Sequence, residues 1–180
     1  MVSDPPRGIS VRPAGRTDIP ALVECATNSV DEEEEFGFGT PWSERTFNDP
    51  GRLLAAWREP NRVGSEEVYV AESEGRVVGY VTIENRLEAT ELVNIDVPRK
   101  LQGHGIGRSL VQFVEATARS RGKRAVTLGT SRNAAGVPWK SLSWWMGHGF
   151  RVVGEEENAW TRAVGVGVRE IRMRKEIERV

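Results

Sequence analysis

Two hydrophobic periods alternate along this chain, and the places where one replaces the other divide it into elements. "ISVRPA" near the start alternates apolar and polar residues as a half-buried strand does. "RTDIPALVECATNSV" then repeats at helical spacing, with Thr17 or Asp18 to cap it, Pro20 in its first turn, and Ile19, Leu22, Val23 and Ala26 on one face. "DEEEEFGFGTPWSERTFNDPGRLLAAWREP" carries a charge run, turn signals from Gly37 to Pro41 and a second helical stretch.

The period then becomes two. "EVYVAES", "VVGYVTIE" and "ATELVNIDV" read as three strands of a meander, with Gly75 placed for a tight hairpin between the first pair. Helical spacing returns with Ile106, Leu110, Phe113, Val114 and Thr117 on one face, and Gly122 is a natural stop. "AVTLGT" is a short buried strand, "VPWKSLSWWMGHGF" a helix, and "RVVGEE" and "VREIRMRKE" two closing strands. The predicted order is strand, two helices, three strands, helix, strand, helix, two strands. With no internal repeat and no dividing linker, 180 residues predict one domain over 1–180, frayed over 1–8.

Composition changes this picture little. A net charge of −1, with 38% hydrophobic and 28% charged residues, offers no global attraction to nucleic acid or an anionic membrane. One cysteine, Cys25, excludes an internal disulfide framework, and with only His104 and His148 an all-protein zinc centre is not expected. Neither a secretion signal nor a membrane-length apolar run is legible, so the expected location is cytoplasmic.

The chemistry concentrates where the last meander strand hands over to a helix, in "VNIDVPRKLQGHGIGRSL". Gln102, Gly103, His104, Gly105, Ile106, Gly107 and Arg108 span the turn. The first backbone N–H groups of a helix have no intrahelical partner, and the dipole is positive at that end. Glycines let a phosphate approach, Arg99, Lys100 and Arg108 add charge, and no acid stands between Asp96 and Glu115. The ligand is therefore expected to be a phosphate or diphosphate. A Rossmann site would need glycine where Arg108 stands, and a Walker loop would need Gly-Lys-Ser/Thr.

"QGHGIG" resembles the Gln/Arg-x-x-Gly-x-Gly/Ala signature of the Gcn5-related N-acetyltransferase (GNAT) superfamily. "ISVRPAGRTDIPAL", "VVGYVTIE" and "WWMGHGFRVVGEE" are similar to its opening strand and helix, its third strand, and its last helix with the strand that follows. The resemblance implies an α/β (α+β) fold: a mostly antiparallel sheet of about seven strands with about four helices on both faces. It implies acetyl-coenzyme A as cosubstrate and no metal. The loop from Gly103 to Arg108 would cradle the diphosphate, Ile95, Asp96 and Val97 would lie along the pantetheine arm where the fourth and fifth strands splay, and Asn133 would also contact the arm.

The same resemblance aligns Glu91 with a glutamate that serves as general base, with Glu84 and Asp96 as further candidates. It also reveals a departure. The tyrosine that many members place five residues before the Phe of the Gly-Phe ending is here Trp145, which cannot donate a proton at neutral pH. Ser141, Ser143, Lys140 or water would have to protonate the thiolate. The acceptor side would fall on "DEEEEFGFGTPW", where Glu35 offers charge and Phe36, Phe38 and Trp42 an apolar wall, with Trp139 and Trp160 nearby. The implied reaction is acetylation of a primary amine, on a small molecule or on a peptide or protein, by direct attack in a ternary complex; a homodimer is an option common in the family. The alternative is a coenzyme A binding or regulatory module of the same fold, without catalysis.

Overall fold

The computed structural model describes residues 8–29, 66–132, 136–164 and 168–178. The element order is β1 (Ser10–Pro13), α1 (Ile19–Ser29), β2 (Glu66–Ser73), β3 (Arg76–Asn85), β4 (Ala89–Asp96), α2 (Ile106–Ser120), β5 (Ala125–Ser131), α3 (Lys140–Gly147), β6 (Arg151–Glu156), α4 (Ala159–Val164) and β7 (Glu170–Glu176). The strands form one seven-stranded sheet in the order β1-β2-β3-β4-β5-β7-β6, antiparallel throughout except between β4 and β5. The mixed, mostly antiparallel sheet and the strand order along the chain are those expected. The second helical stretch expected within 31–60 lies outside the described residues, and α4, six residues long, was not anticipated.

Alternation sends successive strand residues to opposite faces. One face carries Val81, Ile83, Leu92, Val126, Leu128, Ile171 and Met173, covered by Ile106, Leu110, Val111 and Val114 of α2 and by Trp145 of α3. The other carries Val68, Val70 and Tyr80, covered by Leu22, Cys25 and Ala26 of α1.

Two helix ends show how local sequence fixes the frame. In α2, Gly122 takes φ +66° and donates its N–H to Arg119 O at 3.0 Å, while Lys123 N–H reaches Ala118 O at 2.9 Å. In α3, Gly149 at φ +85° donates to Met146 O at 3.0 Å, and Phe150 N–H to Trp145 O at 3.1 Å. Both are Schellman endings, in which a left-handed glycine turns the chain, and in α3 a hydrophobic pair closes over it. In α3 that pair is Trp145 and Phe150, edge to face with centroids 5.4 Å apart. Trp145 is therefore buried core, 4% exposed, and its place before Gly-Phe is a packing position in this chain.

The β2–β3 hairpin turns on Glu74 and Gly75, both with positive φ, as a two-residue primed turn requires. At the far end of α2, Arg121 grips buried Glu67 through two bonds of 2.6 and 2.9 Å, and Tyr69 donates to the same carboxylate at 2.8 Å. Arg124 lies 3.5 Å from Glu88, and Lys123 donates to the Arg86 and Leu87 carbonyls. This basic cluster thus anchors the helix about 22 Å from the glycine loop, at 1.5 Å rise per residue along α2.

Candidate active site

β4 and β5 run parallel in register from Ala89↔Ala125 to Leu92↔Leu128 and no further. Beyond those pairs β4 continues to Asp96 and β5 to Ser131. Among the described residues the backbone of β4 from Val93 onward has no partner on its β5 side, so a wedge opens between the two strands. Register on the other side of β4 shifts at the same level: Ile83 opposes Leu92 but Thr82 opposes Asn94, leaving Val93 as a bulge. Burial follows the geometry, complete from Ala89 to Leu92 and partial from Val93 to Asp96. Ile95 packs against the core and Val97 is buried. An extended chain laid in the wedge would meet N–H and C=O groups on β4 that have no β5 partner among the described residues.

The glycine loop lies at the wide end of this wedge. After a 3-10 turn at Arg99–Leu101, Gly103 and Gly105 adopt φ +80° and +84°, and Gly105 caps α2. A side chain at either glycine would meet nothing within 4 Å. The left-handed backbone, and not crowding within the protein, demands glycine there. Ser109 N–H donates to Gly105 O at 2.9 Å, the first intrahelical bond, so the N–H groups before it face outward from the positive end of the dipole. Arg99, Lys100, His104 and Arg108 are exposed around them. His104 Nδ1 contacts Leu101 O at 3.2 Å.

Buried Ile106 anchors the loop beneath, and its side chain needs Gly79 on β3, where a Cβ would sit 3.1 Å from it. Gly107 faces Trp144: a Cβ there would lie 3.2 Å from the indole, which is 38% exposed and stacked beside His148 at 4.2 Å. Gln102 turns inward and donates to Val97 O at 2.9 Å and Ser29 O at 3.3 Å, tying the loop to the end of α1.

The same junction holds Asp96. Ser29 donates to its carboxylate at 2.5 Å and the Tyr80 hydroxyl donates to the other oxygen. Burial raises the Asp96 pKa from its ordinary value against the pull of these two donors, and burial together with the Asp96 charge holds Tyr80 well above the usual phenol range. Burial, then the charges of Asp96 and Glu24, push the Cys25 thiol up to about 12, so it stays protonated at neutral pH. Because the folded pKa of Asp96 is raised, its neutral form favours folding; that contribution is complete below the unfolded value and is lost as pH rises through the folded one. Asp96→Asn keeps an acceptor for Tyr80 and a donor for Ser29, and is expected to change unfolding free energy at pH 7 by less than about 1 kcal/mol. Urea titrations at pH 7 and about pH 4 check this. The wild type should gain stability relative to the variant at the lower pH, and identical pH dependence would contradict the assignment.

On the sheet face shared with α1, a polar group fills the floor below the wedge. Glu91 on β4 is 4% exposed. Its oxygens accept from Arg172 Nη2 at 2.7 and 2.8 Å and from the Thr127 hydroxyl, with Arg86 at 3.7 Å. Glu84 stands directly opposite Glu91 across β3 and β4 and pairs with Arg86 at 3.2 Å, so two arginines offset a cross-strand pair of carboxylates. Arg172 also reaches Glu170 at 3.4 Å and Glu156 at 4.0 Å. Glu170 and Arg172 were not among the candidates read from the sequence. The signal available was the alternation Glu170, Arg172, Arg174 on the last strand, which puts three charged side chains on one face.

Ser141 on α3 pairs with the Thr130 hydroxyl at 2.8 Å, and Ser143 donates to Lys140 O at 3.0 Å. Trp139 is half-buried and donates its backbone N–H to Ser131 O. Asn133, Glu35, Phe36, Phe38, Trp42 and the Trp160 side chain lie outside the described residues. Among the described residues no group of three His, Cys, Asp or Glu is placed to hold a metal, and no helix is long and apolar enough to cross a membrane.

Solved structures share this architecture. PaiA N-acetyltransferase from Thermoplasma acidophilum in complex with coenzyme A superposes with a TM-score of 0.70 at 15% identity, over 94% of this chain and 99% of that one. The ribosomal-protein-S18-alanine N-acetyltransferase of Escherichia coli gives 0.65 at 20% identity, over 96% of each chain. An aminoglycoside 6'-N-acetyltransferase complexed with coenzyme A gives 0.66 at 17% identity, over 95% and 98%. At these identities the likeness is one of fold. No characterised protein matched by sequence. A model of the acetyltransferase (GNAT) family matches residues 27–137, more than half of the chain, from the last turn of α1 through the wedge and glycine loop. The chain belongs to the acetyltransferase (GNAT) family.

Proposed function

We propose that the protein is an N-acetyltransferase that moves the acetyl group of acetyl-coenzyme A to a primary amine by direct attack in a ternary complex. The observation that carries this reading is the β4–β5 wedge with the left-handed glycine loop at its wide end. The loop offers outward N–H groups and a helix dipole to a diphosphate, and the wedge offers unpaired strand backbone to an amide-bearing arm. Gln102, Gly103, His104, Gly105, Ile106, Gly107 and Arg108 hold the diphosphate end. Ile95, Asp96 and Val97 lie beside the arm, Asp96 by fixing α1 to the end of β4.

Direct attack is favoured over an acetyl-cysteine because Cys25 of α1 is buried against β2 and β3 with its thiol protonated. The geometry supports a part for Glu91 other than that of a free base: its oxygens are taken by Arg172 and Thr127, and its charge holds that arginine in place. Ser141 is the hydroxyl of α3 set against β5, and is proposed as proton donor to the leaving thiolate. The acceptor is a cationic amine, small or peptide-borne, met by the less buried carboxylates of the polar floor, Glu84, Glu156 and Glu170.

Thiol release from acetyl-coenzyme A tests this, in a panel of polyamines, amino acids, aminoglycosides and lysine-bearing peptides, with mass spectrometry of the acceptor. One acetyl group gained per thiol released is expected with at least one amine. Saturable binding of acetyl-coenzyme A without any thiol release would favour the non-catalytic binding module.

A further inference from the structure

We infer that Glu170 of β7 is the group that takes the proton from the attacking amine. The inference rests on the acetyl-transfer reading and deepens it. Gly129 is the first residue of β5 past the last β4–β5 pair, Leu92↔Leu128, and so marks the narrow end of the wedge. Gly129 has no side chain, and Glu170 occupies the vacated space: a Cβ on Gly129 would lie 1.7 Å from Glu170 Oε1 and 2.3 Å from its carboxyl carbon. The carboxylate therefore leans across β5 toward the opening, on the face where Glu91 and Arg172 lie.

Its setting differs from that of Glu91. Glu91 is closed off by Arg172, Thr127 and a 6% exposed side chain, whereas Glu170 keeps 17% exposure and a looser contact of 3.4 Å with Arg172. Orientation comes from Asn158, whose Nδ2 donates to Glu170 Oε2 at 2.5 Å. Asn158 is fixed in turn, because its Oδ1 accepts the Thr161 N–H at 3.0 Å and its own N–H donates to Thr161 Oγ1 at 2.8 Å, capping α4. One carboxylate oxygen is thus held by the cap, and the other, Oε1, lies over Gly129.

The charged groups around it are Arg172 on β7, Glu91 on β4 and Glu156 on β6. Burial raises the Glu170 pKa, Arg172 and Asn158 lower it, and the two other carboxylates raise it again, leaving the group above its ordinary value. That shift moves a base in the useful direction, toward working pH. In the step itself the amine, its ammonium proton already lost to solvent, bonds through its neutral nitrogen to the thioester carbonyl carbon, the carbon–sulfur bond breaks with its electron pair on sulfur, and the proton then shed by nitrogen passes to Glu170. The thiolate leaves and takes a proton from Ser141 or solvent.

The test compares Glu170→Gln, Glu170→Asp and Glu91→Gln with the wild type in thiol release from acetyl-coenzyme A. The acceptor is the most active amine of the panel, or water where no amine exceeds the basal rate, and acetyl-coenzyme A affinity and melting temperature are measured on each protein. Glu170→Gln is expected to lower kcat by about 100-fold with unchanged KM for acetyl-coenzyme A. It should also remove the acid limb of the kcat profile, which Glu170→Asp retains. A Gln variant that keeps both the rate and the acid limb overturns the inference and leaves the acetyltransferase reading standing. A wild type that binds acetyl-coenzyme A but never exceeds uncatalysed thiol release overturns both.

Discussion

Acetyl-coenzyme A affinity is expected to fall by at least about 100-fold in Gly105→Glu, some 2.7 kcal/mol of binding free energy, while the protein stays folded. The argument separates two costs. Open space around Gly105 means a side chain meets no neighbour, so the damage to folding is confined to a left-handed residue, about 1–2 kcal/mol. The damage to binding is larger, since a carboxylate is placed among N–H groups and beside Arg108, where a diphosphate would lie. Gly105→Ala isolates the backbone cost and should weaken binding less. Equilibrium dialysis against labelled acetyl-coenzyme A reads both variants. A glutamate variant binding within about 3-fold of wild type, well under 1 kcal/mol, would mean that the ligand does not sit on this loop.

A second large effect is expected in the polar floor. Arg172→Met leaves Glu91, with a side chain only 6% exposed, facing Thr127 and an arginine 3.7 Å away, and the like charges of Glu91, Glu156 and Glu170 lose their common counter-ion. Breaking one partner out of a buried ion pair costs about 3–5 kcal/mol, which for a chain of this length lowers the melting temperature by about 6–20 °C. Removing both charges, in Arg172→Met with Glu91→Leu, should recover much of the loss, because the penalty belongs to the stranded carboxylate. Scanning calorimetry on the two variants decides it. A single variant within about 1 kcal/mol of wild type would show that water reaches Glu91 and that the group is not closed.

The parts of this molecule legible in its sequence are those that depend on near neighbours. Period-two alternation located β2, β3 and β4, and Gly75 and Gly122 announced a turn and a helix stop because only their own φ matters. "QGHGIG" was readable because its left-handed glycines and the helix start that they cap are made by consecutive residues. What escaped is long-range or short. Glu91 meets Arg172 across 81 residues, and nothing in either strand names the other. Gly129 reads as an ordinary strand glycine until β7 puts Glu170 over it. Trp145 looked like a lost proton donor; the left-handed Gly149 folds Phe150 back onto it and makes it core. The six residues of α4 are too few to show a period, and only Asn158 and Thr161, as cap and third residue, gave any local sign of it.

The central claim is that the wedge and its glycine loop bind acetyl-coenzyme A. Calorimetric titration of the unmodified protein with acetyl-coenzyme A, run beside Gly105→Glu, tests it most directly. A saturable one-to-one heat with a micromolar dissociation constant, lost in the variant, is the predicted result. A titration with no saturable heat, or an affinity unmoved by the substitution, would contradict the account.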